Sequence, residues 1–239
     1  MVYNVSHMPK KQAIKTTLGK SQIGIFFNNP VSRPDLFTQK LTSNFSELFD
    51  TAPINLPVPA EILDFPIAQL KSSNNKWQAD VSRTRADVIF NPDQDRDYED
   101  IKVEFKQLEQ MMFKFVDEAF DQKVEISRVT NISSFLYVTE SPVEVLQSIF
   151  LKNESKEASE LVIRFNEPII EDGLVCNNIV QYQTNSSLIN VKTGKKAKGI
   201  IIMRDFNTDP KKKDIFTKKD IKTFIKIATK HSHDPRIDW

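Results

Sequence analysis

The sequence predicts an α+β protein, a mostly antiparallel sheet backed by helices. Three observations lead there. Apolar residues recur at three- and four-residue intervals between Asp97 and Phe120, the period of one buried helical stripe. β-branched and aromatic residues crowd the run Val124–Val138, as strands require. Residues 21–122 and 123–230 then read in the same order of strand, helix, two or three strands and helix. This suggests two pseudo-repeated halves, repeated in hydrophobic order and not in residue identity, with their strands in two sheets or one continuous sheet.

Residues 1–20 are polar and basic without periodicity and read as a flexible basic arm. Ile23–Phe27 reads as a short buried strand. Pro34 introduces a helix whose stripe is Phe37, Leu41, Phe45 and Leu48. Pro53, Pro57, Pro59 and Pro66 exclude regular helix from 51–66 and leave edge strand at best. Phe65–Ser72 and Trp77–Phe90 read as strands, the second bulged near Arg83–Arg85. In the long helix, Ile101, Phe105, Leu108, Met112, Phe115 or Val116, and Phe120 face inward. Glu104, Gln107, Glu109, Lys114, Asp117 and Glu118 are assigned to the wet side. Asp97, Glu99 and Asp100 suit the first turn, where free backbone N–H groups favour negative charge.

In the second half, Ser141 with Pro142 and Glu144 marks a helix start, giving a helix over 142–151. Glu160–Ile170, Val175–Thr184 and Gly199–Phe206 read as strands. The last helix is capped by Thr217 with Asp220 three residues on, and Ile221, Phe224, Ile225 and Ala228 form its inward stripe. Residues 231–239 form a tail.

The chain of 239 residues has room for a substantial core, and its 17 Phe against five Gly suggest a core filled with rings. No window approaches 18 consecutive apolar residues, which excludes a membrane-spanning helix. MVYNVSHMPKKQAIK lacks the apolar stretch of a signal peptide. The single Cys176 excludes an internal disulfide, fits a reducing, cytoplasmic setting, and reads as a small core residue. The formal net charge of +1 conceals a strong asymmetry. Residues 9–40 carry +5, residues 41–191 carry −12, and residues 192–230 carry +9. An acidic middle between basic flanks can neutralise itself within the fold, or it can offer a basic patch to an anionic partner.

Four patterns bear on chemistry. Asp93, Asp95, Asp97 and Glu104 have the 1, 3, 5, 12 spacing of a calcium loop, but Tyr98 stands where that loop needs Gly. Pro92-Asp93 followed by Glu104-Phe105-Lys106 resembles the metal-dependent nucleases of the restriction-endonuclease type. That resemblance implies Mg²⁺ held by Asp93 and Glu104, with Asp87 a further ligand and Lys106 orienting the attacking water, and it implies the triplet on a strand. The helical stripe through Phe105 opposes that placement. His231-Ser232-His233-Asp234 offers a metal pair whose third ligand would be His7, though a frayed tail explains it better. Lys195, Lys196, Lys198, Lys211, Lys212, Lys213, Lys218, Lys222 and Lys226 form a basic region suited to phosphate backbones, yet with little aromatic interleaving for bases. Lys192–Lys196 reads as a basic hairpin turn without the upstream Gly of a phosphate loop.

The expectation is a soluble intracellular, non-enzymatic protein without cofactor that acts on another macromolecule, a protein in the first instance. A Mg²⁺-dependent nuclease using Asp93, Glu104 and Lys106 is one alternative. A nucleic-acid-binding module using the Lys-rich region is the other.

Overall fold

The structure is a computed structural model and describes residues 16–93, 102–151, 158–189, 196–209 and 215–232. The first half contains β1 (Thr17–Phe27), α1 (Asp35–Asn44), β2 (Ile54–Asn55), β3 (Ala68–Lys71), β4 (Trp77–Val81), β5 (Arg85–Phe90) and α2 (Lys102–Asp121). The second contains β6 (Ile126–Val138), α3 (Pro142–Phe150), β7 (Val162–Glu171), β8 (Leu174–Ile189), β9 (Lys196–Thr208) and α4 (Lys218–Ser232). The nine strands among the described residues join one antiparallel sheet in the order β2-β3-β4-β5-β1-β6-β9-β8-β7. β1 is followed by α1 and by the meander β2-β3-β4-β5, whose last strand pairs with β1; β6 is followed by α3 and by the meander β7-β8-β9, whose last strand pairs with β6. The β1–β6 pair joins the halves into one sheet.

Phe90 on β5 meets Phe105 of α2, Phe206 on β9 meets Phe224 of α4, and Tyr182 on β8 meets Phe150 of α3. Strand register places these three sheet residues on one face. Phe37 of α1 packs edge-on to Phe115 of α2, with ring centroids 5.5 Å apart. The described helices thus form one layer on one side of the sheet, and the core lies between. The opposite face carries alternate residues such as Gln22, Phe26, Asp87, Thr130, Asp205 and Asn207, and no described helix packs on it.

The long helix holds from Lys102, and Phe105, Leu108, Met112, Phe115 and Val116 are buried. The buried stripe is broader than the sequence indicated, adding Met111, Ala119 and also Glu104. Glu104 stands four residues before Leu108 and seven before Met111, so the helix itself turns it inward. It is only 7% exposed and accepts a hydrogen bond from Lys76 Nζ at 3.1 Å, which corrects its assignment to the wet side. Ile101 lies outside the described residues, as do Asp97, Glu99 and Asp100.

Several boundaries move. β1 begins at Thr17, inside the stretch expected to be a free arm, because Thr17, Leu18 and Lys20 pair with Leu136, Phe135 and Ser134. The expected bulged strand Trp77–Phe90 is two strands joined by a hairpin. Its turn is held by the Ser82 hydroxyl, which accepts from the backbone N–H of Thr84 (3.2 Å) and Arg85 (3.0 Å). β8 and β9 run longer than their apolar segments, since cross-strand pairing continues through polar residues such as Asn185 and Lys196. Ser141 occupies the N-cap of α3, but its side chain makes no cap hydrogen bond. Thr217 and Asp220 do form the reciprocal cap of α4: Asp220 N–H donates to Thr217 Oγ1 at 3.2 Å and Thr217 N–H to Asp220 Oδ2 at 3.1 Å.

Candidate interaction surface

At one end of the uncovered face, four segments converge: the C-terminal end of β1, the start of β6, the β4–β5 hairpin, and the Pro-rich stretch 56–67. Their meeting follows from register. Phe26 pairs with Arg85 on one side and with Arg128 on the other, so the three side chains stand in a row across the sheet. Each guanidinium carbon lies 5.0 Å from the Phe26 ring centroid. Such cation–π contacts hold two long side chains extended over a ring and limit their rotamers. Arg85 also donates to Asp87 Oδ1 at 2.7 Å, and Gln22 donates to the same oxygen at 2.8 Å. Burial pushes the Asp87 carboxyl above its ordinary range, and the Arg85 guanidinium beside it pulls the other way.

Two strands further along the same row sits a polar ladder. Thr130 Oγ1 donates to Asp205 Oδ1 at 3.0 Å, Asn207 donates to that oxygen at 2.9 Å, and Asn177 donates to Asn207 at 3.3 Å. Gly24 lies between Asp87 and Thr130. A Cβ there would fall 2.5 Å from Asp87 Oδ1, so only Gly lets this carboxylate lie across β1. Beside it is a recess of about 250 Å³, lined by Lys20, Gln22, Asp64, Asp80, Arg85 and Asp87 among others.

The rim of this recess is the stretch Pro59–Pro66. Its prolines deny it helix and strand, and beyond the turn bond from Ile62 N–H to Pro59 O (3.1 Å) its backbone carbonyls need partners from elsewhere. Arg83 supplies them. Its guanidinium donates to the carbonyls of Pro59 (3.0 Å), Ala60 (3.4 Å) and Ile62 (3.3 Å), and its backbone N–H donates to Leu63 O at 3.1 Å. Thr84 Oγ1 donates to Asp64. Held this way, the loop turns Ile62, Leu63 and Phe65 into solvent, with Phe65 52% exposed. Large apolar side chains fixed in water next to guanidinium groups are a composition found at binding surfaces.

The residues singled out by sequence fall elsewhere. Asp93 is exposed beyond the end of β5, and Lys106 is exposed on α2. Glu104 and Lys106, two residues apart on a helix, project about 200° from one another. The nuclease-type arrangement needs them on one side of a strand, so that arrangement is not formed. Asp87 belongs to the open face and is bonded to Arg85 and Gln22. Asp95 and Asp97 of the calcium spacing lie outside the described residues, and Glu104 is engaged by Lys76. Among the described residues no group of three or more His, Cys, Asp or Glu is placed to hold a metal ion.

Of the basic region, Lys195, Lys211, Lys212 and Lys213 lie outside the described residues, and Lys196 and Lys198 are exposed on β9. Lys218 and Lys222 turn to Asp117 on α2, at 2.9 and 2.8 Å, and Lys222 also lies over the Phe113 ring. Burial raises Asp117, but the two ammonium groups prevail and hold its carboxyl below the ordinary range. Lys226 acts on Glu109 in the same sense, although burial leaves that carboxyl raised. The basic last helix therefore neutralises acids of the central helix. His231 meets Glu171 at 2.7 Å and stacks on Phe206, while His7, His233 and Asp234 lie outside the described residues. Cys176 is fully buried on β8, and burial pushes its thiol up to about 11.

Sequence reasoning passed over Phe26, Arg83, Arg85 and Arg128 as site residues, because their association is a matter of cross-strand register. The run Ile62-Leu63-Asp64-Phe65 did carry a signal: apolar residues between prolines, in a segment unable to form a buried helix. Among the described residues no helix is long and apolar enough to cross a membrane. No protein-family model matches the chain, and no curated protein matches it in sequence.

Proposed function

We propose that the chain is a non-enzymatic protein that works by binding another protein through the surface formed by Pro59–Pro66, the β4–β5 hairpin and the Arg85–Phe26–Arg128 row. The observation that carries this reading is the Arg83 clamp, which fixes Ile62, Leu63 and Phe65 in solvent. Preorganisation of this kind lowers the ordering cost of association and supplies apolar anchors beside a polar recess. Arg128, held over Phe26 and paired with no carboxylate in any described contact, suits a partner segment that combines apolar side chains with a carboxylate.

The test compares proteins captured by the wild type, by an Ile62→Asp/Phe65→Asp double variant, by Arg128→Glu, and by a helix-layer control, Gln110→Ala/Lys114→Ala. The proposal expects a species bound by the wild type and the control but lost with both surface variants. Binding that survives the surface changes, or that falls only with the control, overturns it. Cleavage of plasmid DNA in Mg²⁺ or Mn²⁺ that disappears on Glu104→Ala would overturn the non-enzymatic part.

A further inference from the structure

The two edges of the sheet are built differently. β2 is two residues long and lies between Pro53 and Pro57, so that edge offers almost no template for another strand. β7 is ten residues long and pairs along its whole length with β8, and among the described residues no strand pairs with its other side. Leu161 O accepts from Thr184 N–H, which places odd-numbered residues of this segment in hydrogen bonds with β8. The backbone groups of Val162, Arg164, Asn166, Pro168 and Ile170 therefore point out of the sheet. Pro168 costs β8 nothing and removes one donor from the free edge. The side chains here do not discourage pairing. Val162 is 56% and Ile170 77% exposed, and Phe165 is exposed while its ring packs at a tilt against Phe150, with centroids 5.5 Å apart.

We propose that β7 is a homodimerisation edge, its occupant the β7 of a second copy in antiparallel register. Residues directly opposite in an antiparallel pair share a face, so the facing positions must have the same parity. Two such registers overlap over nine residues; the one centred on Glu167 would set that carboxylate against its own copy, so the pairing places Asn166 on the two-fold axis. Val162 of one copy then faces Ile170 of the other on the open side. Ile163 faces Ile169 on the helix side, where both already pack against the core. The ends match apolar to apolar on both faces, and Arg164 faces Pro168. Isologous strand pairing of this kind joins two nine-stranded sheets into one, with the two interaction surfaces of the preceding proposal at distant positions.

The experiment measures mass by light scattering across a concentration series. The wild type is expected at twice the 27.5 kDa chain mass. Ile170→Lys, which alters a side chain already in water, is expected to raise the dissociation constant about tenfold or more without changing the circular dichroism or thermal unfolding. Register is read separately by oxidation. Asn166→Cys is expected to form an intermolecular disulfide, and Arg164→Cys, whose copies lie roughly 13 Å apart along the strand, is not. A monomeric wild type overturns the proposal. So does a dimer that is indifferent to Ile170→Lys, or one in which both cysteine variants cross-link equally.

Discussion

On β5, Ala86, Val88 and Phe90 face the helices, while Arg85, Asp87 and Ile89 face away from them. The two sides of this strand are organised by different physics. The covered side is a continuous assembly of rings and branched chains, in which Phe27 meets Phe37 and Phe37 meets Phe115. Its stability comes from apolar area and close fit. The open side is a set of cross-strand rows in which polar groups answer specific neighbours, as Gln22 and Arg85 answer Asp87. The covered side should therefore respond to changes of volume, and the open side to changes of geometry and charge.

The largest expected effect lies on the covered side. Phe115→Ala removes a fully buried ring that touches Phe37, and it is expected to cost about 3–5 kcal/mol in urea unfolding. A loss below about 1 kcal/mol would mean that the helix layer is not the tightly packed side. Next comes Gly24→Ala on the open side. A single methyl must displace Asp87, and a loss of about 1–3 kcal/mol is expected even though apolar surface is added. A neutral or stabilising result would break the distinction between the faces.

Asp117→Ala probes the seam between the two long helices. Lys218 and Lys222 would lose their shared partner, and the melting temperature is expected to fall by about 2–4 °C at low salt, with the difference shrinking as salt is added. The smallest effect concerns Glu171, whose carboxyl is held below its ordinary value of 4.5 by the hydrogen bond to His231, against an opposing effect of burial. A depressed acid contributes stability above its unfolded value and loses it as the pH falls through the folded one. Glu171→Gln should therefore lower the melting temperature by about 1–2 °C near pH 5–6, and the gap should close below pH 4. A gap that persists in acid would assign the effect to packing.

The covered side was the legible one. Its stripes at helical and strand spacing located α2, α4 and the last three strands, since burial writes itself into local periodicity, although β8 runs on to Ile189, beyond the expected end at Thr184. Glu104 was misjudged because a stripe read from apolar residues alone assigns every acid to water. The ion pair with Lys76 on the β3–β4 connection depends on a contact between residues 28 positions apart. The β4–β5 hairpin was read through as one strand because Ser82-Arg83-Thr84-Arg85 contains neither Gly nor Asn. A serine hydroxyl supplies the turn chemistry instead. The interaction surface was the least legible, since Arg83 reaches carbonyls more than 20 residues away and Phe26 acquires its two arginines from strands about 60 and 100 residues distant.

The position of β1 has a consequence for how the chain reaches this state. It becomes an interior strand only when β5 and β6 flank it, and β6 ends at Val138. During synthesis, more than a hundred residues must leave the ribosome before the second flank can close. Such distant pairings slow collapse to the native topology and leave an apolar ribbon, Ile23 to Phe27, open to wrong partners in the interval. A nascent chain halted before Ile126 should therefore bind chaperones persistently, and one released beyond Val138 should begin to let them go.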